Sequence, residues 1–127
     1  MITMHTWQHP RILIVDPDMD FRAELYNFLL SAGYEYVEAA ESLHQTLSKI
    51  SQVAFDFVVL DAGATVQQGL ERATRIADLN ASAKVILMIR DEDYHAWHTA
   101  CVQSGAFPVM LKTTFAHNLL YLLEEEL

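Results

Sequence analysis

The sequence predicts a single α/β domain in which five strands and five helices alternate as a doubly wound, parallel (βα)5 structure. Short apolar runs alternate five times with longer segments whose apolar residues recur at helical spacing. This pattern is typical of a parallel sheet with crossover helices on both faces. The first, third and fourth runs are apolar on successive residues, as in strands buried on both faces. A length of 127 residues accommodates one such domain.

The positions of the strands and helices follow from these two patterns, taken in chain order. Strands are expected at residues 11–15, 36–39, 55–60, 84–89 and 107–111, where apolar residues are continuous. Helices are expected at residues 20–32, 42–51, 67–79, 93–104 and 114–126. Residues 1–10 are interpreted as an N-terminal arm, and residues 11–127 as the domain itself.

Glycine and proline positions refine this arrangement. Gly33 and Gly105 stand where two of the helices end, and glycine is the common residue just beyond a helix C-terminus. Pro108 lies in the fifth predicted strand, and proline is tolerated mainly at the edge of a sheet. An edge position for this strand agrees with the flavodoxin-like order 2-1-3-4-5, in which strands 2 and 5 are outermost.

Charge and cysteine content exclude several classes of function. The chain has 17 acidic and 8 basic residues and a formal net charge of -9, so direct binding of nucleic acid or of an anionic membrane is not expected. One cysteine, Cys101, cannot form an internal disulfide and suits a reducing compartment. No apolar run approaches the roughly 20 residues of a membrane span, and the first residues have no signal-peptide core. The protein is therefore expected in the cytoplasm.

Charged residues follow three of the predicted strands. Asp16 follows the first strand, Asp61 follows the third, and Lys112 follows the fifth. In a sheet of this order, ligands bind beyond the carboxyl ends of the strands, where the strand order reverses between strands 1 and 3. Two carboxylates and an ammonium group are therefore expected on one rim. Mg²⁺ prefers oxygen ligands such as carboxylates, and a carboxylate can also act as a nucleophile toward phosphorus.

With these residues, the chain resembles the receiver domains of two-component response regulators from residue 11 to residue 126. The resemblance rests on the acid in ILIVDPD, the acid in FVVLDAGAT with Gly69 eight residues further on, and the lysine in VMLK after SGAF. The spacings of 45 residues from Asp16 to Asp61, and of 51 from Asp61 to Lys112, also suit the family.

The resemblance implies a role for each of these residues. Asp61 would accept a phosphoryl group from a sensor histidine kinase, a phosphotransfer protein or a small phosphodonor. Asp16, Asp61 and the backbone carbonyl of Gly63 would hold Mg²⁺, and Lys112 would contact the phosphoryl oxygens. A metal and a lysine suit this reaction, because phosphoryl transfer depends mainly on positioning and on neutralising charge. The implied protein is a signalling domain with at most self-dephosphorylating activity, and not an enzyme.

The sequence departs from the family pattern at the metal site. Family members usually carry two adjacent acids after strand 1, whereas Asp16 is followed by Pro17, which has no carboxylate. Asp18 is the candidate substitute ligand, although the fixed φ of the proline restricts how it could turn inward. Weak Mg²⁺ binding is therefore expected. Asp16 itself could instead cap the first helix.

The residues that report phosphorylation depart more strongly. Where the family has Ser or Thr after strand 4, with a hydroxyl for the phosphoryl oxygen, this chain has Arg90. The aromatic residue of strand 5 is replaced by Val109, and two family prolines are replaced by Thr65 and Thr113. Arg90 could turn inward to Asp61 or outward to the acids at positions 91–93. Both geometries predict a muted switch, in which phosphorylation changes the conformation of the domain only slightly.

Other interpretations stay open at the level of sequence. The chain could be a receiver-like interaction module that works without phosphate, with Arg90 at the switch position. A flavin or nucleotide enzyme is disfavoured, because the first strand-to-helix turn reads DPDMD and has no glycine-rich phosphate loop. His95 and His98 lie three residues apart on one helix, but no third metal ligand is evident.

The last helix predicts a contact surface. Its segment LLYLL, residues 119–123, is apolar around most of the helix circumference, which is more than one core-facing stripe requires. A homodimer through helix 4, strand 5 and helix 5 is the expected use of this surface, with a separate output domain as the alternative.

Overall fold

The computed structural model describes residues 10–104 and 107–125. Within these ranges it describes all side chains except those of residues 101–104. Most of the predicted N-terminal arm, and the predicted helix end at Gly105, lie outside these residues. The strands are β1 (Arg11–Val15), β2 (Tyr36–Ala40), β3 (Phe57–Asp61), β4 (Lys84–Ile89) and β5 (Val109–Leu111). The helices are α1 (Met19–Ser31), α2 (Leu43–Ile50), α3 (Val66–Leu79), α4 (Tyr94–Ser104) and α5 (Phe115–Glu125), with a short 3-10 helix, Asp91–Asp93, before α4.

The five strands form one parallel sheet in the order β2-β1-β3-β4-β5, which confirms the predicted fold class and the edge position of β5. β1 pairs with both β2 and β3, so the strand order reverses next to β1. Val15 is in register with Leu60. The residues that follow them, Asp16 and Asp61, are therefore neighbours at the carboxyl edge of the sheet.

Each face of the sheet has its own apolar core. Successive residues of a strand point to opposite faces, so Ile12 and Ile14 enter one core while Leu13 and Val15 enter the other. The first core is closed by α1 and α5 with Leu25, Leu29, Leu119 and Leu123. The second is closed by α2, α3 and α4 with Ile50, Ala73, Ile76 and Trp97. Burial of both faces explains why the central strands read as continuous apolar runs.

Three strands differ in their bounds from the predicted ones, and the first of them, β2, extends one residue further, to Ala40. β3 runs from Phe57 to Asp61, so Asp61 is the last residue of the strand and not the first residue after it. β5 contains only Val109–Leu111, and Pro108 precedes it. The Pro108 carbonyl accepts a hydrogen bond from Leu87 N at 2.9 Å. Pro108 thus joins the edge of the sheet through its acceptor, because it has no N–H to donate.

Capping residues set the helix ends. Asp18, Ser42 and Thr65 precede α1, α2 and α3, and each side chain accepts a hydrogen bond from a backbone N–H of the first turn. The observed helix starts therefore lie within one residue of the predicted ones. Gly33 follows the C-cap Ala32 with a φ of +100°, which confirms its predicted role. No helix in the described ranges is long and apolar enough to cross a membrane.

α5 buries more of its apolar residues than the sequence suggested. Leu119 and Leu123 are fully buried, and Leu120 and Leu122 are half-buried and pack against the same core. Tyr121, which is 59% exposed, is the large apolar side chain that α5 leaves in solvent. The apolar outer face of α5 is therefore smaller than expected, because Leu120 and Leu122 pack partly against the core.

Candidate functional site

Two carboxylates and one ammonium group meet beyond the carboxyl ends of β1, β3 and β5. Lys112 Nζ lies 2.7 Å from Asp16 Oδ2 and 2.9 Å from Asp61 Oδ1. The structure thus brings together the three charged residues that the strand ends predicted. The side chains of Asp16, Lys112 and Asp61 are 2%, 15% and 18% exposed, so solvent reaches Asp61 and hardly reaches Asp16.

Backbone hydrogen bonds hold this acid–lysine cluster in place. Asp16 N donates to a carbonyl of β2 at 3.1 Å, and Lys112 N donates to a carbonyl of β4 at 2.8 Å. Asp16 Oδ1 accepts a hydrogen bond from Asp18 N at 2.9 Å. Gly63 N lies 3.2 Å from Asp61 Oδ2, to which it donates. Both carboxylates are therefore oriented by the sheet and by the loops that leave it.

Lys112 also lies over an aromatic ring. Its Nζ is 4.7 Å from the centroid of Phe21, a distance at which the ring face attracts a cation. Phe21 in turn packs edge-on against Phe115, with ring centroids 5.6 Å apart. This contact could not be predicted from the sequence, because the helical spacing of Phe21 with Leu25 and Leu29 indicates only that all three are buried.

Burial and neighbouring charges perturb the cluster's pKa values. Burial raises the pKa of Asp16, and the Asp61 charge adds to this effect, while the close contact with Lys112 Nζ and the hydrogen bond from Asp18 N oppose it. For Lys112, burial lowers the pKa, but the close contacts with the Asp16 and Asp61 carboxylates outweigh burial, so the net pKa is raised. The ionised form of Asp16 therefore lowers the stability of the folded domain, whereas the environment of Lys112 favours its charged form.

The inner oxygen of Asp16 shows that a hard cation would fit this site. Oδ2 is buried and accepts no hydrogen bond of good geometry, so the 2.7 Å approach of Lys112 Nζ is best described as charge pairing. A buried carboxylate oxygen with one cationic partner, beside a second carboxylate, suits Mg²⁺. Asp16, Asp61 and the carbonyl of Gly63 are the groups that would hold it.

The carboxylate count around this site is low. Within residues 10–104 and 107–125, no group of three or more histidine, cysteine, aspartate or glutamate side chains is arranged to hold a metal. An ion bound by Asp16 and Asp61 would take its remaining oxygens from the backbone and from water, which Mg²⁺ readily keeps.

Asp18, the candidate substitute ligand, caps α1. Its Oδ1 accepts hydrogen bonds from the backbone N–H groups of Asp20 at 3.0 Å and Phe21 at 3.3 Å. An N-cap of this kind contributes about 1 kcal/mol to helix stability, so using the same oxygen for a metal would cost that much. The capping role considered for Asp16 therefore belongs to Asp18.

Arg90 turns away from the acid–lysine cluster. Its Nε lies 3.2 Å from Asp93 Oδ2 and its Nη1 lies 3.7 Å from Glu92 Oε2, with 54% of the side chain exposed. Of the two geometries that the sequence allowed, the structure has the outward one. The position after β4 therefore presents no side-chain donor to Asp61.

Other departures from the family pattern also make contacts of their own. Thr113 Oγ1 donates to Asp91 Oδ1 at 2.7 Å, which joins the residue after Lys112 to the loop that carries Arg90. Val109 is half-buried and, with Trp97, lines an apolar cavity of about 280 Å³. The hydrogen bond of Thr113 thus joins the β4–α4 loop to the segment just before α5.

Arg72 belongs to the site, although the sequence did not single it out. It lines a cavity of about 190 Å³ together with Asp61 and Pro17. A Cβ built on Gly63 would lie 2.8 Å from Arg72 Nη1 and 2.8 Å from Gln68 Oε1. The spacing of Gln68 and Arg72, four residues apart in α3, was the available signal, because it places both on one helix face.

Comparison with known proteins assigns the class. The family model of the response regulator receiver domain matches residues 12–124, a range that contains the whole acid–lysine cluster. The chain belongs to the response regulator receiver family, whose members are signalling domains of two-component systems.

Individual relatives agree with this membership. The chain is 34% identical over 77 residues to the chemotaxis protein CheY of Listeria monocytogenes, a match that covers 61% of this chain and 65% of CheY. It is 31% identical over 103 residues to the transcriptional regulatory protein ZraR of Klebsiella oxytoca, which covers 80% of this chain. The matched segment is 22% of ZraR, so the chain spans only part of the length of both relatives.

Solved structures share the fold over nearly the whole chain. The response regulator TrrA of Thermotoga maritima, in complex with Mg²⁺ and beryllofluoride, has a TM-score of 0.75 and 28% identity and covers 93% of this chain and 99% of its own. TrrA in complex with the histidine kinase ThkA has a TM-score of 0.70, with 93% and 98% covered at 28% identity. A CheY-like receiver from Methanospirillum hungatei JF-1 has a TM-score of 0.74 at 26% identity, with 92% of each chain covered.

Replacing Asp16 with Asn should stabilise the metal-free domain at neutral pH. The pKa of Asp16 is raised above 3.8 on folding, so its ionisation favours the unfolded chain at pH values above the raised pKa, and this cost vanishes below 3.8. We expect Asp16→Asn to raise the free energy of unfolding by about 1 kcal/mol at pH 7. The gain should shrink as the pH falls toward 3.8. Urea unfolding in EDTA at several pH values measures it.

Asp78→Asn is the matched control, since Asp78 is exposed near the end of α3. It should change the free energy of unfolding by less than about 0.5 kcal/mol. A loss of stability in Asp16→Asn at pH 7 would mean that pairing with Lys112 outweighs the cost of burial.

Proposed function

We propose that this domain accepts a phosphoryl group on Asp61 and passes it on as a signal in a two-component pathway. The acid–lysine cluster carries the proposal, because Lys112 contacts both carboxylates at 2.7 and 2.9 Å. Asp61, at 18% exposure, is open to a donor from solvent, whereas Asp16, at 2%, is not. Asp61 is therefore the acceptor, and Asp16 is a supporting group.

The reaction is a phosphoryl transfer in which a carboxylate oxygen of Asp61 attacks the phosphorus of the donor. A new P–O bond forms while the bond from phosphorus to the donor breaks, and the leaving group keeps the bonding electrons. Lys112, held in its charged form, neutralises oxygen charge beside Asp61. Mg²⁺ held by Asp16, Asp61 and Gly63 would add neutralising charge at the phosphoryl oxygens.

Metal binding in this domain should be weaker than in a site with another carboxylate. Pro17 lines the cavity beside Asp61 where a further acid would supply an oxygen, and Oδ1 of Asp18 is used in the α1 cap. Mg²⁺ tolerates few departures from octahedral oxygen geometry. Lower affinity for the ion follows from both observations.

The phosphodonor is a sensor histidine kinase or a phosphotransfer protein. The similarity to TrrA, which is seen in complex with the histidine kinase ThkA, supports a kinase as partner. The net charge of -9 disfavours direct contact with nucleic acid or an anionic membrane. We place the domain, residues 11–127, in the cytoplasm, where a single cysteine stays reduced.

Incubation with acetyl phosphate and Mg²⁺ should add the mass of one phosphoryl group to the native protein. Asp61→Asn should abolish the addition, because it removes the nucleophilic oxygen that the cluster leaves open to solvent. Asp78→Asn should be labelled like the native protein. Intact-mass spectrometry reads all three, and persistent labelling of Asp61→Asn would contradict the assignment of the acceptor.

A second candidate function is an interaction module that works without phosphate. The contacts of Arg90 with Glu92 and Asp93, and of Thr113 with Asp91, favour it. They hold the β4–α4 loop in one arrangement without help from Asp61. A domain held in this way would present the same surface before and after phosphorylation.

The amide NMR spectrum with and without beryllofluoride separates the two functions. In the native protein we expect shifts near the β1–α1 and β3–α3 loops and little change in α4 and β5, because Arg90 offers the ligand no hydroxyl. In Arg90→Thr the shifts should extend through α4 and β5. Arg75→Thr, at an exposed arginine of α3, controls for lost charge. Large shifts through α4 and β5 in the native protein would refute the muted switch.

A homodimer through α4, β5 and α5 is the expected assembly of this domain. Its support is the exposure of Tyr94 and Tyr121, at 47% and 59%, since exposed aromatic side chains are common at interfaces. Sedimentation of the native protein should show a dimer that Tyr121→Glu weakens at least tenfold. Leu79→Glu, at a 62% exposed residue of α3, should not. A native protein that stays monomeric at high concentration would contradict the dimer.

A further inference from the structure

Cationic side chains around Asp61 differ in whether they already have a partner. Lys112 is shared by the two carboxylates of the acid–lysine cluster, and Arg90 pairs with acids of its own loop. The guanidinium of Arg72 makes no ion pair or hydrogen bond with any part of the chain that the structure describes. A guanidinium with five donors and no partner is available to an anion.

The position of Arg72 directs it toward the phosphoryl site. It lines the cavity of about 190 Å³ that Asp61 also lines. Its Nη1 lies over Gly63, where a Cβ would come within 2.8 Å, and Gly63 N itself donates to Asp61 Oδ2 at 3.2 Å. The guanidinium therefore sits above the turn that begins at the acceptor residue.

Close packing fixes the helix that carries Arg72. Gly69 lies one turn earlier in α3, and a Cβ there would approach the Ala62 carbonyl to 2.6 Å and the Trp97 ring to 2.7 Å. α3 thus lies directly against the residue that follows Asp61. This contact places the base of the Arg72 side chain at a fixed distance from the end of β3.

The neighbouring acid does not neutralise Arg72. Glu41 lines the same cavity, but its carboxylate pairs with Arg22 at 3.9 Å and is 60% exposed. A phosphoryl group on Asp61 would add negative charge that Lys112, already shared with Asp16, balances only in part. The cavity therefore has an unused positive charge on the side where the new negative charge would appear.

We propose that Arg72 is a second cation for the phosphoryl group, donating from its guanidinium to a phosphoryl oxygen on Asp61 and acting beside Lys112. This inference rests on the proposed function, since it requires the group on Asp61. Arginine suits the task, because its planar donors match phosphate oxygens and its charge is permanent. The readout of phosphorylation would then pass to α3 and not to the loop that carries Arg90.

Titration with beryllofluoride at saturating Mg²⁺, followed by ¹⁹F NMR on the whole chain, tests this assignment. Arg72→Gln should weaken beryllofluoride binding roughly tenfold, the effect of losing one charge-assisted hydrogen bond. Arg72→Lys, which keeps the charge, should recover part of the loss. Arg75→Gln removes an exposed arginine one turn away on α3 and should stay within about twofold of the native protein, since Arg75 does not line the cavity of Asp61.

Mg²⁺ affinity without beryllofluoride distinguishes a phosphoryl contact from support of the loop. It should be the same in Arg72→Gln and in the native protein, and urea unfolding should show both to be folded. Equal beryllofluoride affinity in these two proteins overturns the proposal. So does a parallel loss of Mg²⁺ affinity in Arg72→Gln, which would give Arg72 a purely structural role. A native protein that binds no beryllofluoride overturns the proposed function together with this inference.

Discussion

The contact of Lys112 with Asp16 and Asp61 is the interaction on which the site depends. Two carboxylates at the ends of neighbouring strands repel each other, and one of them is almost fully buried. A cation between them lets the sheet bring both acids to one edge. Lys112 reaches that position because β5 pairs beside β4, and because Lys112 N is anchored to a β4 carbonyl. The strand order and the chemistry of the site are thus linked.

The same cluster lowers the stability of the folded domain, and a bound cation would offset this loss. Burial raises the pKa of Asp16. The partner of its inner oxygen, Oδ2, is the ammonium group of Lys112. A buried charged cluster of this kind stabilises the fold less than apolar side chains of equal size would. Such a loss of stability is common at functional sites. The loops around it are held by contacts of their own: Thr65 caps α3, and Thr113 binds Asp91.

Much of the fold and the centre of the site could be predicted from the sequence. Continuous apolar runs revealed strands covered on both faces, and Asp16, Asp61 and Lys112 were found because each stands where a strand stops. The direction of Arg90, the cap made by Asp18 and the ring beneath Lys112 could not be predicted, since each depends on where a side chain turns after the elements pack. The spacing of Arg72 from Gln68 shows only that both lie on one face of α3, whereas its proximity to Gly63 depends on the packing of Gly69 against Ala62. The burial of Leu120 and Leu122 depends likewise on how α5 settles on the sheet.

A crystal structure of the domain with Mg²⁺ and beryllofluoride tests the central claim most directly, because it shows which atoms surround the acceptor. The cluster predicts beryllium bonded to a carboxylate oxygen of Asp61, the metal on Asp16, Asp61 and the Gly63 carbonyl, and Lys112 Nζ within hydrogen-bond distance of a fluoride. Beryllofluoride on another carboxylate, or an adduct on Asp61 that Lys112 does not contact, would contradict it.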